Sequence, residues 1–333
     1  MNLSISKSAL VTGGTGFIGS HLVQLLLQNG YAVTCLVRDR SKLRWLSGLD
    51  VRLVQGDCSH PATLASAVQG QSIVFHAAGL TKARRTHDFF TVNHIGTKNV
   101  LQACARHDRG IEKFILVSSL AAGGPSPDDQ PAKTTDTPRP VSAYGRSKLL
   151  AESETLSYRD IFPVVILRPS AVYGPRDTDV FELFTMASRG FLLNLAGGER
   201  YINPCYVEDL AQALLLAAEK KTKSGSIYCI AEERTYSLSA FRQELLSSGG
   251  VHARTITVPL SLAYVIGLAS ELLGLFSTKA AVLSREKINE AAQKYWLCDQ
   301  RAIRDDLGFQ PQFPLARGLA ITWQWYRENG WLK

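Results

Sequence analysis

The sequence contains no C-x-x-C pair and no cluster of histidine with cysteine. Cys35, Cys58, Cys104, Cys205, Cys229 and Cys298 stand far apart. That scatter gives neither metal-ligand spacing nor a disulfide framework, so no metal and a reducing, cytoplasmic setting are expected. Internal repeats and low-complexity tracts are missing too. The N-terminus runs straight into an apolar strand and a glycine turn, so no secretory signal is expected. Lys and Arg outnumber Asp and Glu by 37 to 29, a formal net charge of +8. These residues are dispersed and form no nucleic-acid motif, which excludes nucleic acid as a partner. An anionic small molecule or an anionic membrane surface suits the charge. With 333 residues, 45% hydrophobic and 20% charged, the chain can fold one large domain with a smaller companion.

What is present is concentrated first in Thr12-Gly13-Gly14-Thr15-Gly16-Phe17-Ile18-Gly19. The apolar run Ala9-Leu10-Val11 precedes it, and a segment with apolar residues at helical spacing follows, through Leu27. This is a strand, a glycine turn and a helix. Gly13 can take backbone angles closed to other residues, and Gly16 permits close approach to a pyrophosphate. Gly19 lets the helix pack on the strand, while the free N–H groups at the helix start face an anion. The pattern predicts a dinucleotide phosphate site.

Further strands are expected at 32–37, 51–54, 73–76, 114–117 and 164–167. Helices are expected near 41–47, at 61–68, at 89–106 and from Ala143 onward. Near-continuous apolar strands alternating with helices imply an α/β fold, a Rossmann-type doubly wound parallel sheet. The regular alternation breaks after Arg168-Pro169, as when a second unit is threaded into the first. The expected division is residues 1–170 plus about 205–231 for the nucleotide domain. Residues 171–204 and 232–333 then form a smaller, discontinuous substrate domain. The segment 123–140, rich in Pro, Gly and Asp, reads as a long surface loop of the kind that carries function. The run Val258 to Phe276 is nearly all apolar. It reads as a packing helix, a lipophilic substrate wall or a membrane-surface element, and Glu271 and Ser270 would be costly within lipid.

Tyr144 and Lys148 are four residues apart on the expected helix and so share one face. Lowering a phenol by three pKa units takes roughly 4 kcal/mol of preferential phenolate stabilisation. A nearby ammonium and an oxidised nicotinamide could supply it. The pair Ser118-Ser119 follows the strand at 114–117, at the carboxyl end where open parallel sheets bind ligands.

Taken together these pieces resemble the short-chain dehydrogenase/reductase superfamily in its extended form. The matching residues are Thr12-Gly13-x-x-Gly16-x-x-Gly19, Asp57, His76-Ala77-Ala78-Gly79, Asn93 with Gly96-Thr97, Ser118-Ser119, Tyr144-x-x-x-Lys148 and Arg168-Pro169-x-x-x-Tyr173-Gly174-Pro175. The resemblance implies that Tyr144 is the general acid, with Lys148 lowering its pKa and binding the nicotinamide ribose. It implies Ser119, rather than Ser118, as the catalytic serine, if Gly124 is the loop glycine of the pattern. It implies cofactor contacts from Gly13, Thr15, Gly16, Phe17, Ile18 and Gly19, from Asp57 and Cys58, from Ala77, Ala78 and Gly79, and from Lys148 and Pro169. Asn93 belongs either to a proton relay or to the support of its helix. His76, His21, His87 and His94 read as structural.

Three departures discriminate within the superfamily. Members that use NAD usually carry an acidic residue at the end of the second strand. Here Val37 is followed by Arg38-Asp39-Arg40, and Arg38 can grip a 2′-phosphate, which points to NADP(H) rather than NAD(H). The alternative is Asp39 reaching the ribose hydroxyls. Second, Ser118-Ser119-Leu120-Ala121 lacks the acid pair of the dehydratases. Third, Ala171 stands where sugar-nucleotide epimerases usually carry Asn. What remains is similar to the branch holding 3β-hydroxysteroid dehydrogenases and dihydroflavonol reductases. The resemblance implies an NADP(H)-dependent oxidoreductase acting on a hydrophobic ketone or secondary alcohol: steroid-, flavonoid- or long-chain β-keto-like. It also implies a homodimer through the helices carrying Asn93 and Tyr144. Two rival readings are an NAD-dependent nucleotide-sugar epimerase and an NADP-binding sensor or scaffold without turnover.

Overall fold

The structure is a computed structural model that describes residues 7–107, 110–274 and 285–332. Six strands alternate with helices: β1 (Ser8–Thr12), β2 (Ala32–Val37), β3 (Arg52–Gln55), β4 (Ile73–His76), β5 (Lys113–Val117) and β6 (Val164–Pro169). A seventh strand, Ser226–Ile230, pairs with β6. The sheet order is Ser226–Ile230, β6, β5, β4, β1, β2, β3, and all neighbours are parallel. The chain thus winds outward from β1 in both directions, and the reversal opens a crevice at the carboxyl ends of β1 and β4.

Alternation along each strand splits the core in two. Odd-numbered Val11, Phe75, Ile115 and Val165 pack with Leu22 and Leu26 of helix α1 (Phe17–Gln28) and with Leu210 and Leu214. Even-numbered Leu10, Val74, Phe114 and Ile166 pack on the other face with Val100, Leu101, Cys104 and Ala151. Both faces are covered, which is why the strands read as unbroken apolar runs. Elements after β6 enclose a third, aromatic core around Tyr173, Phe184, Tyr206, Trp323 and Tyr326.

Three local expectations change. The helix expected near 41–47 is a single 3₁₀ turn, Arg44–Leu46. Asp39 accepts hydrogen bonds from the Ser41 N–H and hydroxyl, which holds the chain in a turn, and Arg44 sits at φ 49°. The helix expected from residue 89 begins at Thr86 and passes through a π-helical stretch, Phe90–Ile95, before the α-helix Gly96–His107. The apolar run forms a helix, Leu260–Gly274, with Leu262, Val265, Ile266 and Leu268 exposed. Leu275 and Phe276 lie outside the described residues.

Candidate active site

The start of α1 has neither a side-chain cap nor an acidic residue in its first turn, so its N–H groups remain open to an anion. Gly13 sits at φ +75°, and a Cβ there would lie 2.7 Å from the Ala78 nitrogen. A Cβ on Gly19 would lie 2.2 Å from the Gly13 oxygen. Side chains at these positions would collide with backbone, so the two glycines let the turn close tightly, and the bare helix start beside it fits a pyrophosphate.

The turn opens into a groove of about 370 Å³. Gly13, Thr15, Gly16, Phe17, Ile18 and Gly19 line it from the turn, Arg38 from the end of β2, Asp57 and Cys58 from beyond β3, and Ala77, Ala78 and Gly79 from beyond β4. Pro169 is buried at the end of β6 and does not line this groove, nor does Lys148. Lys148 stands just behind the wall, because a Cβ on Gly79 would lie 3.2 Å from its Nζ and 3.1 Å from Asn93 Oδ1.

The second strand's arginine and aspartate diverge. Arg38 faces the groove, whereas Asp39 is held by Ser41 and lies 3.3 Å from Lys42 Nζ. Among the lining residues that the sequence does not single out are Arg44, Trp45 and Arg176. Among the described residues, Arg44 and Arg176 are the two non-glycine positions with positive φ, at 49° and 73°. Arg176 donates to Ser20 Oγ at 3.0 Å and Gln24 Oε1 at 2.9 Å, and its guanidinium lies 5.1 Å from the Trp45 ring centroid. It ties the segment after β6 to α1. The loop after β4 is clasped to the same segment, with Lys82 Nζ 3.1 Å from both Asp179 and Glu182 and Thr81 donating to Asp179.

The two serines after β5 separate cleanly. Ser118 donates to Glu152 Oε1 at 2.5 Å, and Arg168 grips the same carboxylate from Nε at 2.9 Å and Nη2 at 2.6 Å. Ser118 is spent on this buried network. Ser119 caps the turn Leu120–Gly123 by accepting the Ala121 N–H, and its hydroxyl stands close enough to Tyr144 to bear on the phenol's pKa. Ser119 and Tyr144 are therefore the pair that meets.

Tyr144 and Lys148 lie one turn apart on the helix Ala143–Leu156. Its start is held by Glu290, which accepts from Ser142, and by Glu286, which accepts from the Ala143 N–H. Lys148 donates to the Val117 carbonyl at 2.8 Å, and burial pulls its pKa down to about 8, opposed by Glu152. Burial pushes Tyr144 up to about 12; the Ser119 hydroxyl opposes this, while the charges of Glu290 and Asp179 add to it. The chain's own groups thus do not supply the depressed phenol that the spacing suggested. In the reducing direction none is needed, because a proton donor must start protonated.

Asn93 lies in the π-helical stretch. Its amide donates to the Leu80 carbonyl and to Ser147 Oγ at 2.9 Å, and its oxygen accepts the Leu80 N–H at 2.7 Å. Ser147 in turn donates to the Tyr144 carbonyl. Asn93 thereby splices the groove wall to the tyrosine helix. His76 is buried between Thr12 and Thr97, and burial pulls it down to about 3, so it is neutral. Thr97 donates to the Asn93 carbonyl, so His76 carries its proton on Nε2 and accepts from Thr12 at Nδ1.

Tyr144 lines a second cavity of about 780 Å³, and Thr81 lines both. Phe89, Tyr264 and Leu268 form an apolar part, and five cations (Lys82, Arg84, Arg85, Arg285, Lys287) stand with three carboxylates. The expected greasy wall is therefore one edge of the apolar helix, in a pocket that is largely charged.

Asp177 lines the groove and accepts N–H bonds from Asp179 and Val180. Burial pushes its carboxyl up to about 7; the two N–H bonds and Lys82 oppose this, and Asp179 adds to it. A folded-state pKa raised above the ordinary 3.8 means stability present below about pH 4 and lost as pH rises through 7. Asp177→Asn should flatten the fall of Tm between about pH 4 and 7. Parallel wild-type and variant slopes in a thermal scan would exclude this carboxyl.

The chain belongs to the NAD dependent epimerase/dehydratase family, whose profile matches residues 9–231. Within it the chain falls in the branch of 3β-hydroxysteroid dehydrogenases and dihydroflavonol reductases, and it is an oxidoreductase. It is 30% identical to a ceramide reductase of Caulobacter vibrioides, over 97% of this chain and 95% of that one. A mouse sterol-4-alpha-carboxylate 3-dehydrogenase, decarboxylating, is 29% identical over 82% of this chain and 77% of its own. A putative dihydroflavonol 4-reductase of Synechocystis is 29% identical over 99% and 98%. Among solved structures, gox2253 superposes with a TM-score of 0.81 at 29% identity, covering 98% of this chain and all of the other.

Proposed function

We propose that this oxidoreductase uses NADP(H) to interconvert a lipophilic ketone and its secondary alcohol. The observation that carries the reading is the convergence of Ser119, Tyr144 and Lys148 beside a glycine groove that Arg38 faces and Asp39 does not. When bound, the cofactor supplies or accepts a hydride at the carbonyl carbon. Ser119 and Tyr144 hydrogen-bond the carbonyl oxygen where charge develops, and Tyr144 gives it a proton. Lys148 holds the ribose from behind the groove wall. Arg38 takes the 2′-phosphate, with Arg44 nearby in the same wall.

The relatives' names, a ceramide reductase and a sterol carboxylate dehydrogenase, support a substrate with a large apolar body. The charged lining of the second cavity suits a polar or anionic end on it. A homodimer through the helices carrying Asn93 and Tyr144 accords with Ile95 and Leu150, both exposed there.

The test is oxidation of NADPH against NADH over steroid, flavonoid and long-chain β-keto substrates. A charge-assisted hydrogen bond is worth about 1.5–3 kcal/mol, so Arg38→Ala should erase roughly ten- to a hundred-fold of NADPH preference. NADH turnover should be unchanged. A wild type that prefers NADH removes the argument from Arg38, and tight NAD with UDP-sugar affinity would favour the epimerase.

A further inference from the structure

Nine large apolar side chains stand exposed among the described residues, and six of them are Leu193, Ile256, Leu262, Val265, Ile266 and Leu268. Leu193 and Ile256 are register partners in two short parallel strands, Phe191–Leu195 and Arg254–Val258, and the latter leads through Pro259 into the helix Leu260–Gly274. Successive helical residues advance by about 100°. Leu262, Val265, Ile266, Leu268 and Ala269 therefore share one arc, and all are exposed; Ala263, Tyr264, Gly267, Ser270 and Glu271 share the other and turn inward. The inward arc is the polar one. Tyr264 donates to Asn289, and Glu271 accepts from the Arg285 N–H at 2.8 Å and its Nε at 2.9 Å. A surface helix normally has these faces the other way round. An apolar face of this extent marks a binding surface.

We propose that this face docks on the surface of an anionic lipid bilayer. The helix edges the Tyr144 pocket through Tyr264, Leu268 and Glu271, where Lys82, Arg285 and Lys287 are each paired with a carboxylate, and the whole chain carries +8. An exposed apolar face on a chain of net positive charge is what an anionic interface selects. No helix among the described residues is long and apolar enough to cross a membrane, so the face lies on the bilayer rather than in a span. Tyr144's pocket then opens beside lipid, and a lipophilic ketone can enter without crossing water. That last consequence rests on the proposed function; the docking does not.

The test uses the full chain, without cofactor or substrate, sedimented with vesicles of phosphatidylcholine containing about a third phosphatidylglycerol. Binding should weaken at least tenfold, roughly, on pure phosphatidylcholine, in high salt, and in the Val265→Glu/Ile266→Glu double variant. The double variant should keep wild-type turnover of a water-soluble ketone, which shows that it folds. Equal binding by variant and wild type, or none by the wild type, overturns the proposal. So does an oligomer that the double variant splits while vesicles are ignored, because the occupant is then a second copy. Vesicle binding without turnover of any ketone upholds the docking and removes the reductase reading.

Discussion

Tyr144→Phe should lower kcat for ketone reduction by about 10²–10⁴-fold, the usual worth of a positioned general acid. NADPH affinity should not change, because Tyr144 does not line the cofactor groove. The substitution removes one oxygen and little else. The ring keeps its neighbours: Phe89 lies 6.0 Å away between centroids, and Lys287 Nζ lies 5.4 Å from the ring centroid. Ser119 retains its bond to the Ala121 N–H and can still polarise a carbonyl, so some turnover should persist. The pH profile adds a second constraint. Tyr144 is pushed up to about 12, so it is protonated across the working range and contributes no limb to reduction. Lys148, pulled down to about 8, loses its charge above that pH, so cofactor affinity should fall there. Single-turnover rates at saturating NADPH read the first effect directly. A variant that reduces ketone at the wild-type rate would remove Tyr144 from the chemistry.

Glu152→Leu should cost about 3–5 kcal/mol, the price of leaving one half of a buried ion pair alone. The carboxylate and Arg168 are 2% and 5% exposed, joined at 2.6 Å, and Ser118 spends its proton on the same group. Removing the acid strands a guanidinium and a hydroxyl beneath the strand that delivers Ser119. A double variant, Glu152→Leu/Arg168→Met, should regain most of the loss, since matched apolar replacements of buried pairs are often near neutral. Tm values for the two singles and the double close the cycle. If the double falls by the sum of the singles, the two side chains are not coupled.

How far the sequence revealed these features depended on range. The sheet was legible because buried parallel strands read as apolar runs, and the glycine turn because glycine spacing, strand and helix stand within twenty or so residues of one another. The family pattern implied Ser119 rather than Ser118, and the structure shows Ser118 engaged elsewhere. The physical reason is Glu152 beneath Ser118, and Glu152 looks in sequence like any acid on a helix surface. Arg176 was hidden for the same reason: its partners Ser20 and Gln24 are contributed by α1, far away in the chain. The apolar helix reads as greasy nearly all round, so periodicity could not say which face turns inward. The turn at Arg44–Leu46 was misread as a helix because Asp39-Ser41 bonding outweighed a modest helical pattern.

The π-helical stretch at Phe90–Ile95 limits the lengths of chain that can build this site. Winding the same residues as a regular α-helix would turn everything after them by about 100°. Thr97 would swing away from His76, and Asn99 from the Cys58 carbonyl that it holds at 2.9 Å. Asn93 could not then face Leu80 while these contacts stayed in phase. Side chains along this helix are free to vary where they meet solvent, but its residue count is not. Insertions and deletions among homologues should therefore fall on either side of Phe90–Ile95 and leave its spacing to Asn99 intact.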